Sequence, residues 1–441
     1  MSSTPPDPTL ASVLSRIATR RHRVPELPRN AAEARRTDPW TALAFAIERA
    51  RIAVESGGPT TPDEHALFTD TLLRLIRDAM HPDRGDASFQ VMVLRHHEPR
   101  VREYASLSAG ADTDRRHVKS IVNATAHPAK LARQSPGPAR DALALLHHAA
   151  TRMDWPALRA LPALHDDASL ARLIRLDELS SDALVLRYRA MIQQQGPAAG
   201  SEAALDQGAQ AQRRGARGEA LCADAMALLA GQLNGHGDPT TPRWRIASSL
   251  RVPGLLAGDA SGAKVEWDVA LLRRAEGETW HLMLLIEAKA SADAASTDLP
   301  KLLRGLRLLR AADPCATYLF KTASGELRLT GASLAALDAD APDLGGRLLY
   351  CCDGDEDLRP RLLSAASRMQ LLSAETSLEV AARLERGDAV EARALTPVWD
   401  ALRTSPRFLG VLHQYATLLR VRALMVHPDD LADAARAPHQ P

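Results

Sequence analysis

Two apolar runs of strand type stand close together in the middle of the chain and constrain its fold more than any other feature. The first lies in EWDVALL and the second in WHLMLLIEAK, and the turn-like segment RRAEGET separates them. Side chains alternate between the two faces of a strand, so Glu287 and Lys289 project from the same side of a sheet. A neighbouring strand can bring Asp268, from the first run, beside them. The sequence therefore predicts a sheet with two carboxylates and a lysine at one edge.

The overall charge of the chain sets a limit on nucleic-acid binding. Lys plus Arg number 55 and Asp plus Glu number 54, which leaves a formal charge of +1. Without a global positive field, any binding of nucleic acid has to rely on a local basic patch. The length of 441 residues, with 45% hydrophobic residues, predicts a globular protein with a sizeable core and more than one domain.

Lysine is rare in this chain, because nearly all the basic residues are arginine. A lysine two positions after a glutamate is therefore less expected by chance than in an average sequence. The lysines are Lys119, Lys130, Lys264, Lys289, Lys301 and Lys321.

The cysteines and the hydropathy pattern bear on the compartment. Cys222, Cys315, Cys351 and Cys352 have neither C-x-x-C spacing nor the arrangement of a disulfide framework. The chain starts without a signal-like segment, and its apolar runs fall short of the roughly 20 residues of a membrane span. These features predict a cytoplasmic protein with no membrane partner.

The periodicity of apolar residues divides the chain into regions. Residues 1–195 show helical spacing, which predicts an all-helical N-terminal domain of unknown function. Residues 196–214 are small and polar, as in a linker. Residues 215–357 predict a domain with strands, and residues 358–435 predict C-terminal helices packed on that domain.

Within the central region the predicted order is helix, three strands, helix and strand, which describes a small mixed sheet flanked by helices. Leucines of the second helix recur on one side, while Lys301, Arg304 and Arg310 fall on the other. The predicted segments are a helix over 218–233, strands over 244–252 and in the two central runs, a helix over 298–313, and strands over 315–320 and 346–352.

With Glu219, Asp268, Glu287 and Lys289 in this element order, the region of about 215–352 resembles the PD-(D/E)XK nuclease superfamily. The matching segments are GARGEAL, EWDV and IEAK, over roughly a third of the chain. The proline of the family name is replaced here by Trp267. The resemblance implies a multidomain α and α/β protein, with a central restriction-endonuclease-like αβββαβ mixed sheet between helical segments.

The resemblance also implies a magnesium-dependent hydrolase. It assigns Asp268, Glu287 and the backbone carbonyl of Ala288 as ligands of Mg²⁺ or Mn²⁺, with Glu219 supporting the site from its helix. Lys289 would orient or help deprotonate the attacking water. Independently of the family, metal coordination lowers the pKa of water and offsets the charge that develops on phosphorus.

Three further residues are candidates for supporting roles. Lys301 and Arg304 follow the active strand on the next helix, where they are candidates for phosphate contacts. Glu266 shares a strand face with Asp268 and is either an accessory acid or a solvated side chain. A same-face glutamate and lysine also form simple surface pairs in other proteins.

These patterns favour a metal-dependent nuclease acting on DNA, and the preference for DNA comes from the resemblance alone. One alternative is an interaction or scaffold protein that retains a nuclease-like fold without catalysis. Another is an unrelated α/β enzyme for a small phosphorylated molecule, but the chain has no glycine-rich phosphate loop. The N-terminal helical domain is a candidate for binding the substrate or a protein partner.

Overall fold

The computed structural model describes residues 8–17, 21–22, 26–196, 201–235, 242–258, 261–341, 344–354 and 361–437. The described residues form two compact units. The sheet unit draws on Met1–Phe68, Glu202–Arg368 and Asp400–Pro441, and the helical unit draws on Thr69–Ser201 and Met369–Trp399.

Helices make up most of the described chain. The α-helices are Pro8–Ser15 (α1), Ala31–Ala34 (α2), Pro39–Ser56 (α3), Pro62–Ala79 (α4), Ala87–His97 (α5), Pro99–Ala126 (α6), Pro128–Leu131 (α7), Pro138–Arg152 (α8), Ala168–Ser180 (α9), Ala183–Gln194 (α10), Glu202–Asn234 (α11), Gly254–Ala257 (α12), Ala292–Arg310 (α13), Gly331–Ala335 (α14), Ala365–Leu372 (α15), Glu375–Glu385 (α16), Thr396–Thr404 (α17), Leu409–Leu412 (α18), Gln414–Leu424 (α19) and Pro428–Arg436 (α20). Short 3-10 helices occupy Pro156–Ala160, Pro162–Leu164, Leu344–Gly346, Ala392–Leu395 and Pro406–Phe408.

The strands belong to one mixed sheet of the sheet unit, in the order β2-β1-β4-β5-β3-β6-β7. β2 is antiparallel to both β1 and β3, whereas β6 runs parallel to β3 and β7 parallel to β6. The strands are Trp244–Arg251 (β1), Glu266–Arg274 (β2), Thr279–Ala288 (β3), Thr317–Thr322 (β4), Gly325–Thr330 (β5), Leu348–Cys351 (β6) and Met425–Val426 (β7).

The predicted mixed sheet and flanking helices are present, but the restriction-endonuclease-like αβββαβ sheet is wrong. β4 and β5 form an antiparallel hairpin. β5 pairs with the start of β3, β4 touches the end of β1, and β2 joins β1 to β3. In the described residues, β1, β2, β3, β5 and β4 therefore close into a ring.

The closure depends on a strand that the sequence analysis missed. β5 follows a tight turn at Gly325, where φ is 124°, a backbone conformation that glycine adopts readily. The turn folds β5 back along β4. Only β4 of this hairpin was predicted from the sequence. In the structure β5 pairs with β4 and with β3, and so completes the ring.

The predicted linker over 196–214 is largely helical. Helix α11 starts at Glu202 and continues through the predicted linker as one helix of 33 residues. Ala, Gln, Glu and Arg are strong helix formers, and they outweigh Gly208, the one glycine in the helical part of the predicted linker. Residues 197–200 of the predicted linker lie outside the described residues.

The compact units also differ from the predicted sequence-contiguous domains. Chain up to Phe68, predicted as part of an N-terminal domain over 1–195, groups with the sheet. Leu10 and Val13 of α1 show why, because they pack into the core formed with α11. Helix α16, from the predicted C-terminal segment 358–435, instead belongs to the helical unit. The predicted boundary between 357 and 358 lies outside the described residues.

Two cores cover the two faces of the sheet. On one face, leucines of α13 pack against Trp267, Leu282 and Leu285. On the other, Met226 and its neighbours on α11 pack with Ile286 and residues of α1 and α20. Because both faces are covered, β3 is almost continuously apolar, and polar groups are confined to its ends.

Helix α13 begins shortly after β3 ends, for a local reason. The side chain of Ser291 accepts a hydrogen bond from the amide of Ala294, 3.2 Å away, and so caps the helix. Its leucines repeat at helical spacing and are buried, as predicted. The cap and the apolar stripe together place the first turns of α13 next to the end of β3.

The helical unit is a separate assembly of helices with its own core. α6, α8 and α9 enclose a cluster that includes Val118, Trp155 and Leu173. The guanidinium of Arg172 donates two hydrogen bonds to the carboxylate of Asp114, at 2.9 and 2.6 Å. These contacts hold α6 and α9 together. Among the described residues, the helices are each too short or too polar to cross a lipid bilayer.

Gly305 allows α13 to approach the loop before β2 very closely, and replacing it should destabilise the protein. A Cβ at Gly305 would lie 2.6 Å from the carbonyl oxygen of Lys264 and 2.7 Å from its Cβ. We expect Gly305→Ala to lower the free energy of unfolding by about 1–3 kcal/mol, measured by urea denaturation. Gly208→Ala is the control, since a Cβ there has no neighbour within 4 Å among the described residues. It should stabilise helix α11 by about 0.5–1 kcal/mol, and an equal effect of both variants would contradict the close approach.

Candidate active site

The structure brings Asp268 and Glu287 together at the ends of two paired strands. Val269 of β2 lies opposite Ile286 of β3, so the antiparallel register sets Asp268 opposite Glu287. The backbone amide of Ala288 donates a hydrogen bond of 2.9 Å to Oδ2 of Asp268. The predicted convergence of these two carboxylates is therefore confirmed by the strand register and by this bond.

Glu287 is deeply buried, with 1% of its surface exposed. Its Oε1 accepts a hydrogen bond of 2.9 Å from Nζ of Lys289 and a second one from Nζ of Lys264. Oε2 is also buried and has no hydrogen-bond partner within the part of the chain that the structure describes. One oxygen thus carries both ammonium contacts, while the other keeps its lone pairs available.

Lys289 is held between two acidic side chains. Besides Glu287, its Nζ lies 3.3 Å from Oδ2 of Asp298 in the first half of α13. Its backbone amide donates to the carbonyl of Cys351 at 2.8 Å, which continues the ladder between β3 and β6. Lys289 is therefore held by its backbone hydrogen bond to β6 and by ionic contacts of its ammonium with Glu287 and Asp298.

Tyr350 adds a buried hydroxyl to the same region. It lies opposite Glu287 in the parallel β3–β6 pair and is fully buried. Burial, together with the negative charges of Asp298 and Glu287, raises the pKa of the Tyr350 hydroxyl. The hydroxyl is therefore neutral near pH 7.

Burial governs the electrostatics of the two carboxyl groups. Burial raises the pKa of Asp268, although the ammonium of Lys264 opposes it. Burial also raises the pKa of Glu287, and the negative charge of Asp268 adds to the effect. Burial would lower the pKa of Lys289, but the hydrogen bond to Glu287 and the negative charges of Glu287, Asp298 and Asp268 together outweigh it, so the net pKa is raised. Lys289 therefore stays charged, whereas the two carboxyl groups hold a proton more readily than exposed ones do. Shifted pKa values of this kind are common at functional sites.

Of the other predicted residues, Glu219 acts on Asp268 through its charge. It is exposed on α11, and its charge is one of the influences, after burial, that raise the pKa of Asp268. Glu266 instead faces Arg251, with 3.3 Å between Oε2 and Nε. This ion pair is partly exposed, so Glu266 takes part in a surface contact.

The two predicted phosphate contacts have different surroundings. Lys301 is exposed, and its backbone carbonyl accepts a hydrogen bond of 3.1 Å from the amide of Lys264. Arg304 donates two hydrogen bonds to the carbonyl of Gly262, one of them 2.8 Å long from Nε. Arg304 therefore anchors the loop that leads to Lys264.

The backbone of β1 is distorted beside Asp268. Ser249 has a φ of 52°, in the left-handed region that non-glycine residues seldom occupy. It lies between Ser248, which pairs with Val269, and Leu250, which pairs with Trp267. The register therefore sets Ser249 opposite Asp268, and backbone strain of this kind clusters at functional sites.

The donor set suits a hard divalent cation that keeps part of its water shell. Among the described residues, no cluster of three or more His, Cys, Asp or Glu side chains could enclose a metal ion. Mg²⁺ is usually held by one or two carboxylates and retains several waters. Asp268, the bare Oε2 of Glu287 and the carbonyl predicted at Ala288 match that pattern, and the carbonyl's role stays a prediction.

Sequence analysis missed Lys264, Asp298 and Tyr350 as members of this site. For Lys264 a signal was available, because it is one of the rare lysines and lies four positions before Asp268, which is the same face of an extended chain. Asp298 and Tyr350 carried no comparable signal, since α13 brings Asp298 to Lys289, and β6 brings Tyr350 to Glu287, only in the folded protein.

Comparison with known proteins leaves the site to be interpreted on its own geometry. No protein-family model matches this chain, and neither a curated protein nor a solved structure is significantly similar to it.

The raised pKa of Asp268 predicts that its ionised form destabilises the folded protein. A carboxyl group with a raised pKa in the folded state contributes most to stability at low pH, and this contribution is lost as the pH rises through that pKa. Asp268→Asn does not ionise and can still accept the bond from Ala288. With EDTA present, the free energy of unfolding of this variant minus that of the parent should therefore increase as the pH is raised from about 4 to about 8.

Urea denaturation across that pH range measures the effect. Glu266→Gln is the matched control on the same strand, because its carboxylate lies in a partly exposed pair with Arg251. We expect its stability difference from the parent to stay within about 0.5 kcal/mol. A pH-independent difference for Asp268→Asn would contradict the effect of burial.

Proposed function

We propose that this protein is a divalent-metal-dependent nuclease that hydrolyses phosphodiester bonds in DNA. The observation that carries the proposal is the convergence of Asp268, Glu287 and Lys289 at the ends of two paired strands. Two carboxylates and an ammonium in one place meet the chemical needs of phosphodiester hydrolysis.

Each of these residues has a role that follows from its surroundings. Asp268 and Glu287 would hold Mg²⁺ or Mn²⁺, with the carbonyl of Ala288 as a further ligand. The cation, when bound, lowers the pKa of water and offsets charge on the phosphate. Lys289 would hold the attacking water and neutralise a phosphate oxygen, and its pair with Asp298 keeps the ammonium in place.

The resemblance to the PD-(D/E)XK nucleases supports the choice of reaction and substrate. The spacing of Asp268, Glu287 and Lys289 along two consecutive strands matches the pattern of that superfamily. The closed ring of strands departs from its open sheet, so the proposal rests on the chemistry of the site rather than on the fold.

A groove beside α13 supports a polyanionic substrate. It has a volume of about 420 Å³, and three arginines and a histidine are among its lining residues, although Arg307 is paired with Asp340. Arg304 and Arg307 of α13 line one side, and His413 and Arg420 line the other. Because the net charge of the chain is only +1, local groups of this kind would have to supply the attraction for phosphates.

A non-catalytic scaffold is the second candidate, and one observation favours it. The ammonium of Lys264 already contacts the carboxylate that would bind metal. A lysine in that position can replace a cation as the structural counter-charge of a buried glutamate. The role predicted for the N-terminal helices in binding a protein partner fits this reading and stays a prediction.

We place the proposed activity in the cytoplasm. All four cysteines are free thiols, and three of them are buried. Unpaired cysteines fit a reducing compartment.

The proposal predicts metal-dependent cleavage that fails when a metal ligand is removed. Linear, nicked, branched and single-stranded DNA, and RNA, would be incubated with Mg²⁺ or Mn²⁺. We expect the parent to cut at least one DNA substrate, and Asp268→Ala or Glu287→Ala to lose both cutting and Mn²⁺ binding. Lys289→Met should bind Mn²⁺ but cut slower by a factor on the order of 100 or more, since it acts on the transition state.

Glu266→Gln serves as the matched carboxylate control and should retain cleavage. Equal cleavage by Lys289→Met and the parent would refute the role of the lysine. If the parent cuts none of the substrates and binds no Mn²⁺, the scaffold becomes the better account of the fold.

Lys301 tests whether α13 contributes to binding the substrate. Its side chain is exposed, and Lys301→Ala leaves intact the backbone carbonyl that accepts from Lys264. If the ammonium contacts a phosphate, the variant should weaken DNA binding and reduce the slope of log K against log salt by about 1. Fluorescence anisotropy of labelled DNA in Ca²⁺ measures the affinity at each salt concentration. Lys321→Ala, at an exposed position on β4, is the control. An unchanged slope would mean that Lys301 is merely solvated.

A further inference from the structure

Lys264 is a second lysine of the site, and its contact is with the buried carboxylate itself. Its Nζ donates to Oε1 of Glu287, the same oxygen that accepts from Lys289. Only 13% of the Lys264 side chain is exposed, against 1% for Glu287. The contact is therefore largely removed from solvent, where an ion pair is stronger than at the surface.

Tertiary contacts fix the backbone of Lys264 so that its side chain reaches the site. Its amide donates to the carbonyl of Lys301 at 3.1 Å, and two residues earlier Arg304 holds the carbonyl of Gly262. Gly305 lets α13 approach the Lys264 backbone without a side chain in between. The backbone is anchored on α13, and the four-carbon side chain carries the ammonium from there to Glu287.

Lys264 also acts on the second carboxylate. After burial, which raises the pKa of Asp268, the positive charge of Lys264 is the strongest influence and lowers it. One ammonium therefore serves both carboxylates that the proposed metal needs. A cation bound by Asp268 and Glu287 would be repelled at short range by the positive charge of Lys264.

We propose that Lys264 competes with the divalent cation for Glu287 and so sets how tightly the site binds metal. This inference rests on the proposed function, since it takes Asp268 and Glu287 as metal ligands. The ammonium and the cation are both positive and both bind Glu287, so one weakens the binding of the other. A bound cation has to displace the ammonium from Oε1 or to use only the bare Oε2.

Removing this charge should tighten metal binding. We expect Lys264→Met to raise the affinity for Mn²⁺ by a factor on the order of 10 in the full-length protein, because a nearby positive charge is lost. Lys264→Arg keeps the charge and should show no gain. Lys321→Met removes the same charge from an exposed position on β4 and should change the affinity by less than about threefold.

The measurement is Mn²⁺ titration after EDTA treatment, followed by electron paramagnetic resonance of free Mn²⁺, with circular dichroism to verify folding. Lys264→Gln, which can still donate to Glu287, is the second variant if Lys264→Met does not fold, and the same direction is expected. Competition is supported if Lys264→Met or Lys264→Gln binds Mn²⁺ more tightly than the parent and Lys264→Arg does not. The same conclusion holds if the parent itself binds no detectable Mn²⁺.

The other outcomes separate the two proposals. If the parent binds Mn²⁺ and the neutral variants bind it equally or more weakly, competition is refuted while the metal site stands, and Lys264 then orients Glu287 instead. If neither the parent nor any variant binds Mn²⁺, both the metal site and the competition are refuted.

Discussion

The carboxylate of Glu287, buried at the end of β3, is the interaction on which the site depends. An isolated buried charge is strongly unfavourable, so the fold has to supply partners for it. Lys289 directly follows the same strand, and Lys264 comes from the loop before β2; the ammonium groups of both contact Oε1 of Glu287. Each of these elements is held in place by packing elsewhere, and together they converge on one carboxylate.

The arrangement of the sheet explains why this place is polar and still rigid. β3 pairs with β2, β5 and β6, and helices cover both faces of the sheet. The interior of the strand is therefore apolar, and charged groups are tolerated only where it ends. At that end α13 begins, bringing Asp298 to Lys289 and Arg304 to the loop of Lys264. A rigid strand and a capped helix position the side chains more precisely than loops alone would.

Local patterns predicted much of this structure. The three strands before α13, the leucine face of α13 and the last strand at Cys351 were all evident from periodicity. β5 was missed because GELRLT is short and polar at alternate positions, and its role comes from pairing with β3. The helix through the predicted linker was missed because a small, polar composition is typical of linkers, although its alanine, glutamine and arginine residues also favour a helix. The grouping of residues up to Phe68 with the sheet depends on long-range burial, which periodicity does not report.

The sequence by itself determined that Asp268, Glu287 and Lys289 lie at strand ends, because side-chain alternation and the change from apolar to charged residues are local properties. The tertiary structure decided that the strands close into a ring and that Asp298 and Tyr350 join the site. It also decided that Lys264 contacts Glu287. These contacts join residues far apart in the chain, and they form because helices and strands pack to bury apolar faces, which places polar side chains together without any local signature.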